Sequence, residues 1–387
     1  MLNRGYHGWT AILVALLGLA PRPGRAVVQW TMIGCEGASV QGQSIDSIWD
    51  NAALMAANAD SVLETLTGNN VIKALTTSSN LANNAKWMFG ISVNFGGVLP
   101  SSSKNTLNNV VRPVYRQAKN LLQSNNGYLI CSGAPALRGQ VGTNANTWYY
   151  NIPGTQDVIA LTSQPPGIRP CSPPSQGTPV TLGQTFNGKI YPLNADITTL
   201  PTGTATVILF CTELLDANNF KGTLASGFQA NDPSADFPDP DKYRSASGTL
   251  LHEMIHAIDT GTYQDQGNDQ VGDNIFPDSN AAYGFNRCAL LAQTHQSNAL
   301  VNPDGYRIFA EMCMSSNTRW GMPKPPQAAT PAPGRKRSVI GRDAPRLSLG
   351  ERRAAGPGGH VPGPLDSADA GAMRLDYLGH DLEWSAS

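Results

Sequence analysis

Residues 247–259 read SGTLLHEMIHAID. Leu250, Leu251, Met254, Ile255 and Ile258 recur at the three- and four-residue spacing of an apolar helix face, and Ser247 is a candidate N-cap. His252 and His256 stand four residues apart, so on a helix their imidazoles share one face and can meet one cation. Glu253 sits beside them, placed to reach a water rather than the cation itself. The pattern is His-Glu-x-x-His, which on a helix reads as a zinc site with its own general base.

Catalytic zinc takes three protein ligands and keeps one position open, where it acidifies water and polarises a carbonyl. A neighbouring carboxylate takes the water's proton and returns it to the leaving amine. His252 and His256 are therefore candidate ligands for Zn2+, and Glu253 the candidate base and acid. The third ligand is open. Of the six histidines, His7 lies in the leader and His360 and His380 lie near the C-terminus. His295 sits in a polar stretch that favours a surface role. A carboxylate is the better candidate: Asp259, Asp265, Asp269, Asp273, Asp278, Asp304 and Glu311 all follow the motif. Asp259 lies on the same helix surface and cannot easily wrap the ion, so the ligand should come from a chain that turns back. The Asn/Asp-rich loop between Gly272 and Pro277 offers such a return.

Composition excludes other classes. The 27 basic and 28 acidic side chains nearly cancel, which removes the basic excess of a nucleic-acid binder and the polybasic signal of a membrane-surface protein. Arg4 and His7 precede an apolar stretch, Thr10–Ala20, and small residues follow. That is the layout of a signal peptide, here residues 1–26, and it implies a secreted chain. The six cysteines, none in a Cys-x-x-Cys pair, then read as up to three disulfides, with Cys288 and Cys313 placed to join the last two helices. No Asn-x-Ser/Thr acceptor occurs.

The body spans residues 27–320. Ile45, Ile48, Trp49, Leu54, Met55, Val62, Leu63 and Leu66 recur at helical spacing, and Asn105–Gln123 is a second helix with a kink at Pro113. Strands follow at Tyr128–Cys131, Thr147–Ile152, Lys189–Leu193 and Thr204–Cys211. Helices return at Ser247–Asp259, Tyr283–Asn298 and Pro303–Ser315. This order predicts an α+β fold. Residues 321–387 carry nine prolines and ten glycines, too little apolar surface to offset chain entropy, and read as a disordered tail. Arg335-Lys336-Arg337 within it is a candidate dibasic processing site, and Leu375–Trp384 a candidate short helix.

His252–His256, then Ala282-Tyr283-Gly284, Asn302-Pro303-Asp304-Gly305-Tyr306 and Phe309-Ala310, in that order, resemble the aspzincin metallopeptidases, the deuterolysin and peptidyl-Lys endopeptidase group with its fungal secreted relatives. The resemblance covers roughly Ser245–Ser315. It implies a zincin-like body, hydrolysis of peptide bonds, and an Asp third ligand in a GTxDxxYG segment after the motif. It also implies a Tyr, here Tyr283, that orients substrate or stabilises the oxyanion, and a peptide substrate lying along an edge strand, for which Lys189–Leu193 is one candidate. The chain departs from the pattern where the Asp should stand three residues before the Tyr. Asn280 occupies that position, and Asp278, two residues earlier, is preferred to Asp273, Asp265 and Asn280 as the ligand. The expected protein is a monomeric secreted metalloendopeptidase acting on peptides or proteins, with no nucleic-acid or membrane partner. The alternative is a weak or inactive metal-binding or host-interaction protein on the same fold.

Overall fold

Val207 to Phe210 are all buried, Val207 and Leu209 in one apolar cluster and Ile208 and Phe210 in another. A strand that is apolar on both faces belongs inside a sheet. The computed structural model describes residues 30–324, apart from 41, 69–78, 126, 132–133, 135–136, 139–146, 163–169, 172–179, 194–199, 212–238, 277–280 and 316–317, together with 380–384. Apart from a small hairpin of Ser39–Val40 and Gln43–Ser44, its strands in chain order are β1 (Thr31–Ile33), β2 (Gly127–Cys131), β3 (Leu137–Arg138), β4 (Thr147–Asn151), β5 (Asp157–Thr162), β6 (Val180–Pro192), β7 (Gly203–Phe210) and β8 (His380–Trp384). They form one sheet in the order β1-β2-β7-β6-β5-β4-β3, with β8 added to β6. β1, β2 and β7 run parallel and the remaining pairs antiparallel. Ile33, Ile130, Val207 and Leu209 from one end of the sheet meet Tyr150, Ile159 and Leu161 from the other, so the sheet curls over its own face.

The opposite face carries the helices: α1 (Ile45–Thr67), α2 (Ser79–Phe89), α3 (Arg112–Leu122), α4 (Ala246–Ile258), α5 (Phe285–Thr294) and α6 (Pro303–Met314). Their apolar stripes share one core with Leu129, Ile208 and Phe210 of the sheet. The architecture is mixed α/β and compatible with the α+β expectation, helices gathered on one face of a largely antiparallel sheet. Ser44 caps α1 by accepting from the Ser47 amide. The expected stripe of α1 is buried except for Leu54, which stands off the Ile48–Met55–Val62 line and is exposed. Trp49 donates its indole N–H to Leu122 O, and Trp30 donates to Leu121 O, which also accepts from the Ser124 amide and hydroxyl, so two buried rings dock on carbonyls at the end of α3. Before α3 the expected kink is a π-turn over Leu107–Val111. Pro113, at the start of α3, has no N–H to continue the α ladder, and the wider turn absorbs the lost bond.

Two disulfides brace the sheet. Cys35–Cys131 ties the exit of β1 to the end of β2, and Cys171–Cys211 ties the approach to β6 to the exit of β7. Cys288 and Cys313 are free and buried, which corrects the expected bridge between the last helices. The Cys288 Sγ faces the Ala282 carbonyl at 2.9 Å and the Asn302 side-chain nitrogen at 3.4 Å instead.

The chain divides into two compact units, Met1–Pro326 with Leu378–Ser387, and Gln327–Tyr377. The expected leader and most of the expected tail lie outside the described residues. Where a short helix was expected near the C-terminus, His380–Trp384 is a strand, because pairing with β6 overrides local preference. Among the described residues no helix is long and apolar enough to cross a membrane.

Thiol titration checks the cysteine pattern. Protein unfolded without reductant is expected to expose two reactive thiols, Cys288 and Cys313, and six after reduction. Breaking Cys35–Cys131 by a double Ala substitution is expected to lower stability by about 2–5 kcal/mol in denaturant unfolding.

Candidate metal centre

The motif helix is fixed first at its N-terminus. Ser245, two residues before the expected cap, accepts from the Gly248 amide at 2.9 Å. Its own N–H and hydroxyl both donate to Glu311 Oε1 at 3.0 Å. A Cβ at Gly248 would lie 2.1 Å from that same oxygen, so the first turn of α4 needs glycine where Glu311 reaches in. Ser247 is instead buried within the turn. From this start the helix carries His252, Glu253 and His256 into the interior, with relative exposures of 0%, 0% and 1%.

Beyond Ile258 the chain reverses on Asp259. Its Oδ1 accepts from the Gly261 and Thr262 amides and its Oδ2 from the Thr262 hydroxyl, a local turn that competes with helix. The reversal brings the Tyr263 carbonyl to His256 Nδ1 at 2.7 Å. A carbonyl can only accept, so Nδ1 carries the hydrogen and Nε2 presents its lone pair to the site. Two residues on, Asp265 arrives. Its Oδ1 lies 3.3 Å from His252 Nε2 and 3.5 Å from His256 Nε2, and the two Nε2 atoms are 3.0 Å apart. His252, His256 and Asp265 form a group that could hold a metal ion.

The electrostatics favour a cation at this point. Burial would lift the Asp265 carboxyl, yet His256 and His252 hold it well below the usual carboxylate range. Burial would lower His252, yet Asp265 and then Asp304 push it up to about 10. Glu253 is raised by burial, an effect that the two imidazoles and the Thr185 hydroxyl oppose. That hydroxyl, on β6, reaches Glu253 Oε2 at 2.6 Å, and Glu253 Oε1 has no hydrogen-bond partner. Gly183 lies over the same carboxylate, where an added Cβ would stand 3.0 Å from Glu253 Oε1.

Tyr283 donates its hydroxyl to Asp265 Oδ2 at 2.6 Å. Burial, then Asp265, raises its pKa well above the ordinary tyrosine value, so it stays a donor. Although 18 residues separate the two in sequence, the Ala282 amide donates to Gln266 O at 2.7 Å, which closes the intervening loop at its base. Asn268 pins the loop inside by bonding both the N–H and the C=O of Phe276.

Behind His252, the Asp304 carboxylate stands 3.5 Å from Nδ1, an electrostatic contact longer than a formed hydrogen bond. Asp304 is held by Arg307 Nε at 2.6 Å and by the Gly284 amide, and Arg307 Nη1 reaches Glu311 Oε2 at 2.6 Å. All three side chains are buried. Burial would lift Asp304, but Arg307 holds it far below the usual carboxylate range.

Of the residues singled out in sequence, the fold brings His252, Glu253, His256 and Tyr283 together. Asp278, the preferred third ligand, and Asn280 lie outside the described residues. Asp273 is on the surface, paired with His295 at 3.0 Å. The carboxylate at the described centre is Asp265, and the available signal for it was Gly261-Thr262 just upstream. Thr185 and Arg307 carried no motif. A cavity of about 680 Å3 beside α2 and α5, bordered by Trp87, Asn286 and Leu290, contains none of the site residues. No protein-family profile, curated protein or solved structure matches the chain.

Asp304→Asn leaves Arg307 one carboxylate short in a dry setting, and the expected cost is about 3–5 kcal/mol of stability. It also removes the support behind His252, so metal affinity is expected to fall about 10–100-fold in a chelator competition. Unchanged stability would show that Arg307 does not depend on this carboxylate.

Proposed function

We propose that the chain is a secreted zinc-dependent metalloendopeptidase with a zincin-type centre, in which His252, His256 and Asp265 hold the zinc and Glu253 moves the proton. The observation that carries this reading is the spacing of the three ligand atoms. Donors about 2.0–2.1 Å from one tetrahedral ion stand about 3.3 Å apart. The measured separations are 3.0, 3.3 and 3.5 Å. Zinc suits two imidazoles and a carboxylate at tetrahedral spacing, and the His-Glu-x-x-His pattern on a helix favours it over the iron that the same donors also bind.

When bound, zinc supplies a Lewis acid that polarises the scissile carbonyl and acidifies water. The side chains supply the rest. Thr185 fixes Glu253 through Oε2, which leaves Oε1 to take a proton from water and pass it to the amide nitrogen as the C–N bond breaks. His256 is held in its donor-to-Tyr263 tautomer, and Asp265 is oriented by Tyr283. A pure metal binder has no need of a base fixed beside its ligands. An extended peptide would pair with the β6 edge beside Gly183 and Thr185, the half of the strand that reaches Glu253, by displacing β8, which lies along that edge from Val180 to Thr185. The candidate Lys189–Leu193 does not serve, because Lys189–Pro192 pairs with β5 on one side, and Lys189 and Ile190 with β7 on the other. Export is supported by the leader-like sequence of residues 1–26 together with two disulfides.

Purified chain is expected to carry one zinc by elemental analysis and to degrade casein, with chelator abolishing activity and zinc restoring it. Glu253→Gln should keep the zinc and lower kcat by about 10²–10⁴. Zinc bound by a wild type as inert as Glu253→Gln would make the protein a metal binder and end the peptidase reading. Among ligand variants, Asp265→Ala should lose zinc while Asp278→Ala keeps it; the reverse result would reassign the third ligand. Tyr283→Phe separates two roles. Weakened zinc binding marks the tyrosine as support for Asp265, and a fall in kcat at full zinc occupancy marks it as a partner of the substrate carbonyl.

A further inference from the structure

β6 has thirteen residues, and its two edges are used unevenly. One edge pairs with β7 from Gly183 to Ile190. The other pairs with β5 only over Lys189–Pro192. Along the first half of that second edge lies β8, antiparallel, with His380 opposite Thr185, Asp381 opposite Gln184, Glu383 opposite Thr181 and Trp384 opposite Val180. The register shifts between Asp381 and Glu383. This half of β6 carries Gly183 and Thr185, the two residues against Glu253. The C-terminus of the chain thus occupies the strand edge that runs beside the proposed base.

We propose that His380–Trp384 is a tethered competitor for the peptide-binding edge of β6, and that severing the chain within Gln327–Tyr377 frees that edge for other peptides. The inference rests on the peptidase reading for its consequence and on the strand pairing for its structure. An extended peptide binds a sheet edge through backbone hydrogen bonds, and an antiparallel strand already in place uses the same donors and acceptors. A second observation is that His252, Glu253 and His256 are buried, and Asp265 is the member of the ligand group that solvent partly reaches.

The tether determines the strength of the competition. Each backbone hydrogen bond contributes little net free energy, and ordering five residues costs a comparable amount, so a free peptide of this length binds weakly. Linked to the body, the same strand acts at an effective concentration on the order of millimolar. A substrate at micromolar concentration competes poorly against it. Once cut, the released segment is diluted to the concentration of the protein itself. The chain's dibasic sequences, Arg335-Lys336-Arg337 and Arg352-Arg353, both fall within Gln327–Tyr377, the unit that in sequence joins the two stretches of the first. A secretory-pathway protease that recognises paired basic residues would therefore cut the tether and leave both the centre and β8 intact.

The test uses the full chain, zinc-loaded, before and after digestion with a dibasic-specific serine protease and dialysis. With a fluorogenic peptide substrate, KM is expected to fall at least tenfold on cutting, with kcat nearly unchanged. A synthetic peptide of residues 378–387 added back should inhibit competitively. A double His380→Pro/Asp381→Pro variant, which removes the N–H groups of two adjacent residues of β8, one of which faces β6, should lower KM in the uncut chain. An unchanged KM after verified cutting, or a proline variant that behaves as wild type, overturns the proposal. Binding separates this outcome from failure of the peptidase reading. In the Glu253→Gln background, a fluorescein-labelled 378–387 peptide should bind the cut chain saturably and the intact chain at least tenfold more weakly. Equal or absent binding to both forms overturns the edge occupancy whatever the activity, whereas differential binding without any proteolysis in the wild type leaves it standing and removes only the enzyme.

Discussion

Arg307 is buried with two carboxylates, and each of them reaches a different part of the motif helix. Asp304 stands behind His252, and Glu311 accepts the two hydrogen bonds that start the helix at Ser245. Taking these three charges out of water is expensive, and such clusters add little to stability over a well-packed apolar alternative. What this one supplies is position. α4 cannot rotate about its axis, or slide by a turn, without stripping a carboxylate from Arg307 or a cap from Ser245. The imidazoles of His252 and His256 thereby inherit a fixed direction from a guanidinium more than fifty residues further along the chain. Gly248 belongs to the same constraint, since no side chain fits where Glu311 enters.

The sheet contributes the second fixed surface. β6 delivers Thr185 to one oxygen of Glu253, and Gly183 clears space for the other. β6 is itself held by β7, whose buried residues join both cores, and by the Cys171–Cys211 bridge at its approach. The candidate base thus lies between two rigid elements, the geometry that preorganised proton transfer requires. The candidate ligand set is assembled differently. Two donors come from one helix and the third from the turn that follows it, so local chain reversal at Asp259 fixes the coordination distance more than long-range packing does.

Much of this was legible in sequence where a residue's role depends on its neighbours along the chain. Histidines four apart on an apolar helix face, the stripe of α1 and the apolar run of β7 are local patterns, and each appears at the expected place. Errors arose where the role is set across space. Ser247 looked like the cap, but Glu311 selects Ser245. Leu54 fits a loose helical spacing and falls outside the narrower stripe that the core selects. Cys288 and Cys313 looked paired, yet the Cys288 sulfur is engaged by Ala282 and Asn302. Lys189–Leu193 had the look of an edge strand, but β5 covers one side of it over Lys189–Pro192 and β7 the other at Lys189 and Ile190. Asp265 ranked below Asp278 because the expected spacing was counted backwards from Tyr283; Asp278 lies outside the described residues, and a count forwards from His256 reaches Asp265. Counted that way, the turn at Gly261-Thr262 leads directly to the carboxylate.

The bond from Ala282 to Gln266 explains why spacing counted backwards from Tyr283 says little about this geometry. A segment whose two ends already touch imposes no strain on what it joins, and its closure entropy changes only slowly with length. Exposed positions of this loop such as Asp269 and Asn274 can therefore be exchanged while Asn268 and Phe276 hold it inside and Asp265 and Tyr283 keep their hydrogen bond. The fold separates a part that must not vary from one that is free to, at the rim of the same centre. Diversity in what such a protein recognises could accumulate in that loop without disturbing the chemistry beneath it.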